Sequence, residues 1–200
     1  LPEVESIKRY LSGQVIGRTI TSFSSEWPKA IDSHSLHDFT AIINGQIISD
    51  LKRHGKYLVF YLRSGQNLMI HLRLTGNLDF SLDSTNVERY TRHTFGIDNN
   101  FEMRLRDMRK FATISLASKQ TNKLQNLGQD PLEASFTAAN LEDLLHSHRA
   151  SIKSLLLNQS IIAGIGNIYS DEILFECKIH PSTPTSSIPT KMVQHLHKTM

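Results

Sequence analysis

The chain has one cysteine, Cys177, so no internal disulfide can form and no cysteine-based zinc set exists within it. Glu176 and Lys178 flank it in a helix-like stretch, where a small structural residue is the simplest reading. No run of about 18 apolar residues occurs, so no membrane-spanning helix and no membrane partner are expected. The opening LPEVESIKRY lacks the basic-then-apolar plan of a secretion signal, which points to an intracellular protein. Charge is nearly balanced, with a formal net of +3. That mild excess permits a nucleic-acid partner without demanding one, and the Lys/Arg-rich tail that would demand one is missing. Internal repeats and low-complexity tracts are also absent. The first residue is leucine, and Met192, Leu196 and Met200 share helical spacing at the other end. A chain continuing past both ends is expected.

What is present divides into two patterns. Val4, Ile7 and Leu11 fall on one helical face, with Gly13 as a plausible stop, so a short amphipathic helix over residues 3–12 opens the chain. From 14 to about 119 the signal is strand. KYLVFYL (56–62), the turn SGQ (64–66) and NLMIHL (67–72) predict a hairpin. FEMRLR (101–106) alternates, with Phe101, Met103 and Leu105 on one face and Glu102, Arg104 and Arg106 on the other. KYLVFYL is apolar on both faces, which suits a sheet covered on both sides, as in a sandwich. After the polar stretch near 120, the period becomes helical over 136–146, 151–161, 168–177 and 190 to the end. The expected fold is therefore α+β in two domains. A β-sandwich with a leading helix occupies 1–119, a linker 120–131, and a helical domain 132–200.

NQSIIAGIGNIYSDE (158–172) places Gly164 and Gly166 inside an apolar stretch, where each glycine costs a helix roughly 1 kcal/mol against alanine. Helix, turn, helix follows, with Asn167 expected to cap the second helix. Glycine permits positive φ and close backbone approach. A glycine turn ahead of a helix N-terminus also leaves N–H groups pointing outward, ready for an anion such as a DNA phosphate. On pattern alone, a structural corner between two helices is the simpler reading.

AGIGNIYSDEILFECKIHP resembles the helix-two-turn-helix signature of the formamidopyrimidine-DNA glycosylase family, which includes endonuclease VIII. LPEVE (1–5), RHGKYL (53–58), HLRLTG (71–76) and LRDMRKFA (105–112) resemble further motifs of that family, in the family's order. Together they span essentially the whole chain. The resemblance implies a DNA repair enzyme that removes oxidised purines such as 8-oxoguanine and formamidopyrimidines and then cleaves the abasic strand by β- and δ-elimination. Its nucleophile is the secondary amine of an N-terminal proline, which attacks the sugar C1′ and expels the base from a nucleotide turned out of the stack. The family motif puts that proline and the following glutamate ahead of Leu1. Pro2 matches the motif's second proline, and its nitrogen is a delocalised amide that cannot attack.

Residue by residue, the resemblance assigns Glu3 and Lys56 to the catalytic site. An ammonium at Lys56 would orient the strand and supply a proton. Glu3 fits equally well as a first-turn carboxylate favoured by the helix dipole. Arg109 and Phe111 match the pair pushed into the helix stack, and Leu74 stands where the family usually carries a methionine wedge. His93, Arg149, Lys153 and Asn167 match DNA-contact positions, with His148 as the alternative to Arg149. Met108 replaces a usual proline and Ala112 a usual glycine, so a differently shaped turn is expected there. The arginine-x-phenylalanine pair favours the formamidopyrimidine branch. Zinc is implied only for a C-terminal finger beyond Met200, and this chain itself supplies no metal ligand. The expected partner is double-stranded DNA containing oxidised bases or abasic sites, bound by a monomer because one protein wraps one distorted site. Two rival readings stand beside this one. The first is a DNA-binding relative that keeps the wedge and has lost catalysis. The second is a protein sharing only the helix-two-turn-helix element, which leaves LPEVE, RHGKYL and DMRKFA unexplained.

Overall fold

The computed structural model describes residues 2–32, 34–117 and 123–200, apart from the Lys123 side chain. The chain divides into two compact units, Pro2–Lys123 and Leu124–Met200. The expected boundary near 119 falls on residues outside the described set.

The first unit is a sandwich of two four-stranded antiparallel sheets. Helix α1 (Pro2–Val15) leads into β1 (Ile20–Ser25), α2 (Leu36–Ile43), β2 (Ile48–His54), β3 (Tyr57–Leu62), β4 (Asn67–His71), β5 (Gly76–Leu82), β6 (Thr91–Ile97), β7 (Phe101–Asp107) and β8 (Thr113–Ala117). One sheet has the order β1-β6-β7-β5 and the other β2-β3-β4-β8. The predicted hairpin is β3–β4, closed at Tyr61 opposite Asn67. Alternation on β7 buries Met103 and Leu105 in the shared core with Phe23, Phe39, Phe60, Phe95 and Ile114. Helix α1 adds Val4, Leu11 and Val15 to the same cluster. Burying each large side chain of this kind contributes about 1.5–3 kcal/mol. Val59, Met69 and Ser115 are register neighbours on the opposite face of the second sheet and are buried too, as a sheet covered on both sides requires.

Helix α2 interrupts a region whose sequence signal is strand. Ser35 caps it by accepting the Asp38 N–H at 3.1 Å and donating to the Asp38 carboxylate at 2.7 Å. Leu36, Phe39 and Ile43 then follow the helical period into the core. The Ser-x-x-Asp pair was the local signal for this helix.

The second unit contains α3 (Ala138–Ser147), α4 (Ile152–Leu157), α5 (Asn167–Glu176) and α6 (Thr190–Thr199). Its core gathers Phe136, Leu141, Leu145, Ile152, Leu156, Ile173, Leu174 and Leu196. Cys177 is buried there, its thiol 3.6 Å from the Thr199 hydroxyl, as a structural residue would be.

Candidate nucleic-acid interface

Lys56 sits in the two-residue loop between β2 and β3, where His54 pairs with Tyr57. Gly55 supplies the positive φ, +56°, that a tight hairpin needs at its first central position. Lys56 is half-buried, and burial followed by the nearby Arg73 guanidinium lowers its pKa below the usual lysine value. His71 lies across the sheet from Tyr57 and meets it edge-on at 4.7 Å. Its Nδ1 accepts the Arg73 N–H at 3.0 Å, which leaves Nε2 as the protonated nitrogen. Arg73 holds a left-handed φ of 56° to make that bond. Burial, then Arg73 and Lys56, push the His71 pKa down to about 4. The structure thus groups Lys56 with His71 and Arg73, two residues the sequence reading did not single out although HLRLTG contains both. Two cations beside a neutral imidazole N–H form a group whose charge and donors suit an anion.

Glu3 is exposed in the first turn of α1. Two residues on, Glu5 ties that helix to the Lys56 hairpin. Its Oε2 accepts Arg53 Nε at 2.9 Å, and Arg53 Nη1 donates to the Gly55 carbonyl at 3.0 Å. Lys8 and Arg9 donate to the other oxygen at 3.0 and 2.8 Å. Burial raises the Glu5 pKa, but the bonds from Lys8, Arg9 and Arg53 outweigh it and bring it to about 2.

Two loops at one end of the β5–β7 pair carry three exposed apolar side chains. Leu74 is 71% exposed, Met108 56% and Phe111 46%, values far from those of core side chains. The Arg109 guanidinium lies over the Phe111 ring at 4.8 Å, so the two are stacked before any partner arrives. Behind them Asp107 is buried and accepts the N–H groups of Arg109 at 3.1 Å, Phe111 at 2.6 Å and Ala112 at 2.8 Å. Burial raises the Asp107 pKa, but these donors, with the Thr75 hydroxyl, outweigh it and keep the carboxyl ionised. Ala112 is absent from the residues with positive φ, which is why alanine serves where glycine was the expected residue.

His93 differs from a surface phosphate contact. It is 2% exposed within β6, stacked on Phe23 at 6.1 Å, and its Nδ1 finds no hydrogen-bond partner among the described residues. Burial lowers its pKa to about 4, against the pull of Asp107 and with the push of Arg92. A neutral ring at this depth brings no positive charge to a phosphate and could offer it only an N–H.

These groups set an acid dependence. For both histidines the folded pKa lies below the ordinary 6.5, so between 6.5 and about 4 the unfolded chain binds protons that the folded chain does not. Their stabilising contribution is complete above 6.5 and is lost as pH falls toward 4. Each contributes at most on the order of 3 kcal/mol. Glu5 acts lower, its contribution complete above 4.5 and lost toward pH 2. Melting temperatures from pH 7 to 2 are expected to fall throughout. His93→Phe should flatten the upper window, and Glu5→Gln only the lower one.

In the helical unit, Gly164 takes φ +102°, the left-handed conformation that the glycine pattern anticipated. Gly166 is extended, and it, not Asn167, is the N-cap of α5. Asn167 is the first helical residue because Gly166 already occupies the half-in position, and a residue without a side chain leaves the first-turn N–H groups uncapped. Asn167 is exposed beside them. Gln159 staples the turn, accepting Gly164 N–H at 2.9 Å and donating to the Leu157 and Ile165 carbonyls at 3.0 and 2.7 Å. Gly128 braces it from behind. Its N–H reaches the Gln159 carbonyl at 2.8 Å, and a Cβ there would lie 2.1 Å from the Ile161 oxygen. Sequence reasoning missed Gln159 and read Gly128 only as a linker residue. Arg149 is exposed, whereas His148 Nδ1 lies 2.8 Å from the Leu144 carbonyl at the end of α3. Lys153 is paired with Asp171 at 2.6 Å.

Residues 1–114 match the family described as the formamidopyrimidine-DNA glycosylase N-terminal domain, and residues 127–200 match the formamidopyrimidine-DNA glycosylase H2TH domain. The formamidopyrimidine-DNA glycosylase of Protochlamydia amoebophila is 38% identical over 198 residues, covering 98% of this chain and 72% of its own length. That of Chloroflexus aurantiacus is 38% identical over 200 residues with the same coverages, 98% and 72%. Among solved structures, the Lactococcus lactis formamidopyrimidine-DNA glycosylase bound non-covalently to DNA containing an abasic site superimposes with a TM-score of 0.88 at 28% identity, covering 100% of this chain and 77% of that one. The complex of the L. lactis protein with DNA containing FAPY-dG gives 0.89 at 28% identity, covering 99% and 76%.

Proposed function

We propose, from the premise that this chain belongs to the formamidopyrimidine-DNA glycosylase family, that it excises oxidised purines from double-stranded DNA and cleaves the resulting abasic strand by β- and δ-elimination. The observation that supports the reading is that exposed Leu74, Arg109 and Phe111 stand on two loops, with the backbone N–H groups of Arg109, Phe111 and Ala112 converging on the buried Asp107 carboxylate. Side chains of this kind fill the gap left by an everted base and kink the duplex. Lys56, with His71 and Arg73 beside it, takes the phosphate next to the opened sugar and lends a proton. Glu3 stands at the start of α1, where the family's amine nucleophile would be presented. The uncapped N-terminus of α5 and Asn167 receive a second phosphate. Arg149 adds a phosphate contact, as does Lys153 once it exchanges Asp171 for the strand.

DNA in the genome is the substrate, so the enzyme works inside the cell; no helix among the described residues is long and apolar enough to cross a membrane. Among the described residues no three His, Cys, Asp or Glu side chains converge on one point.

Borohydride trapping tests the proposal. The chain extended by Pro-Glu ahead of Leu1, its initiator methionine removed so that the proline is a free secondary amine, is mixed with an 8-oxoguanine:cytosine duplex and borohydride and is expected to give a covalent protein–DNA adduct. Trapping follows because the amine forms an iminium with C1′ as the base leaves. No adduct, together with lesion-selective binding, would replace the enzyme with a DNA-binding relative that has lost its chemistry.

A further inference from the structure

Gly76 and Asp107 are register partners across β5 and β7, so the turn that carries Leu74 and the loop that carries Arg109 and Phe111 leave the same end of one strand pair. Strand pairing stops there, and the two loops are joined beyond it by side chains. The Thr75 hydroxyl donates to Asp107 Oδ1 and lies 3.3 Å from the Arg109 nitrogen. The same Oδ1 accepts Arg109 N–H, while Oδ2 accepts Phe111 and Ala112 N–H. One carboxylate therefore receives four donors from two loops.

We infer that Asp107 and Thr75 form a bracket that locks the two wedge-bearing loops together, so that Leu74, Arg109 and Phe111 enter a damaged duplex as one preformed unit. The proposed function supplies what the unit enters; the bracket is a property of the unbound protein. Lys110 shows that the loop is held rather than relaxed. Its φ is +59°, a conformation that costs a non-glycine residue about 1–3 kcal/mol unless its surroundings enforce it. The amides of Arg109, Phe111 and Ala112, on both sides of Lys110, end on the same carboxylate. A carboxylate suits this because it is acceptor-only, with roughly four lone-pair sites. An asparagine of the same shape would turn N–H groups toward two of the donors. The Asp107 backbone is itself pinned, its carbonyl accepting Arg92 Nε at 3.1 Å. A wedge ordered in advance does not draw on binding energy to order it. Losing the bracket should therefore weaken lesion-specific binding while leaving phosphate-driven binding to intact DNA in place.

The protein carries its own reporter. Trp27 is the only tryptophan, and the Lys110 ammonium lies 4.3 Å from the centre of its ring. Acrylamide quenching of Trp27 without DNA thus reads the 107–112 loop. Affinity for a duplex containing a tetrahydrofuran abasic analogue, relative to the same duplex undamaged, reads the wedge. Asp107→Asn is expected to alter the quenching and lower the abasic preference about tenfold or more. Thr75→Val spares the three amide bonds, so the quenching should stay and the preference should fall about threefold to tenfold. Thr75→Ser, which keeps the hydroxyl, should match the wild type in both. Affinity for the undamaged duplex should be common to all four. If Thr75→Ser were as impaired as Thr75→Val, or Asp107→Asn kept both wild-type values, there would be no bracket. Should Asp107→Asn fail to fold, the threonine pair still decides. A wild type without abasic preference would overturn the proposed function, and the DNA-free quenching of Asp107→Asn would still decide whether the carboxylate orders the loop.

Discussion

Replacing Lys56 with methionine is expected to slow formation of the borohydride-trapped adduct by at least about 100-fold, the usual loss when a positioned proton donor is removed. Methionine keeps the length and the apolar stem, so the β2–β3 hairpin, whose turn depends on Gly55, should be unaffected. Melting temperature is the control. The direction follows from the surroundings. Burial and Arg73 depress the Lys56 pKa, which brings it closer to neutral pH and makes its proton easier to give up. Single-turnover rates across pH should therefore show a basic limb for the wild type that is lost in Lys56→Met. An unchanged rate would remove Lys56 from the chemistry and leave it a phosphate contact at most.

Arg109→Ala and Phe111→Ala are each expected to lower the affinity for an abasic duplex about 5-fold to 100-fold, on the scale of a stacking side chain lost from nucleic acid. Phe111 is 46% exposed and Arg109 is exposed as well, so neither change should move the melting temperature appreciably. That split between binding and stability identifies a wedge, because a core phenylalanine cut to alanine would cost about 3–5 kcal/mol of stability. The two losses should not add. The guanidinium lies on the Phe111 ring at 4.8 Å, and removing either disturbs the other. Equal weakening on damaged and intact duplexes would reduce Arg109 to an ordinary phosphate contact.

The parts of the fold that could be read in advance are those with a local period. The β3–β4 hairpin, the alternation of β7 and the helical second half follow from spacing within about ten residues. Helix α2 was passed over because it is only eight residues long and lies inside a strand-like stretch, although its Ser35 cap was visible. The residues that organise the site escaped for a different reason. Glu5 meets Arg53 48 positions away, and Thr75 meets Asp107 32 positions away. Neither carboxylate has a local pattern that sets it apart from a solvated one. His93 departs from the sequence expectation in its burial. A histidine between Arg92 and Thr94 resembles a surface contact, and only the stacking of β6 against Phe23 puts it inside.

Sequence by itself determined the two-part organisation, the α+β class and the motifs that mark the family, because apolar period, turn residues and motif order are properties of the chain read in line. Tertiary structure alone decided which polar groups are spent on scaffolding and which face outward. Asp107 and Glu5 are consumed in holding loops, whereas Arg109 faces solvent beside the exposed Phe111 and Leu74. The physical reason is burial. Whether a carboxylate, an imidazole or an ammonium keeps its charge, and what it binds, depends on donors and neighbours that arrive from distant parts of the chain only when the core has closed.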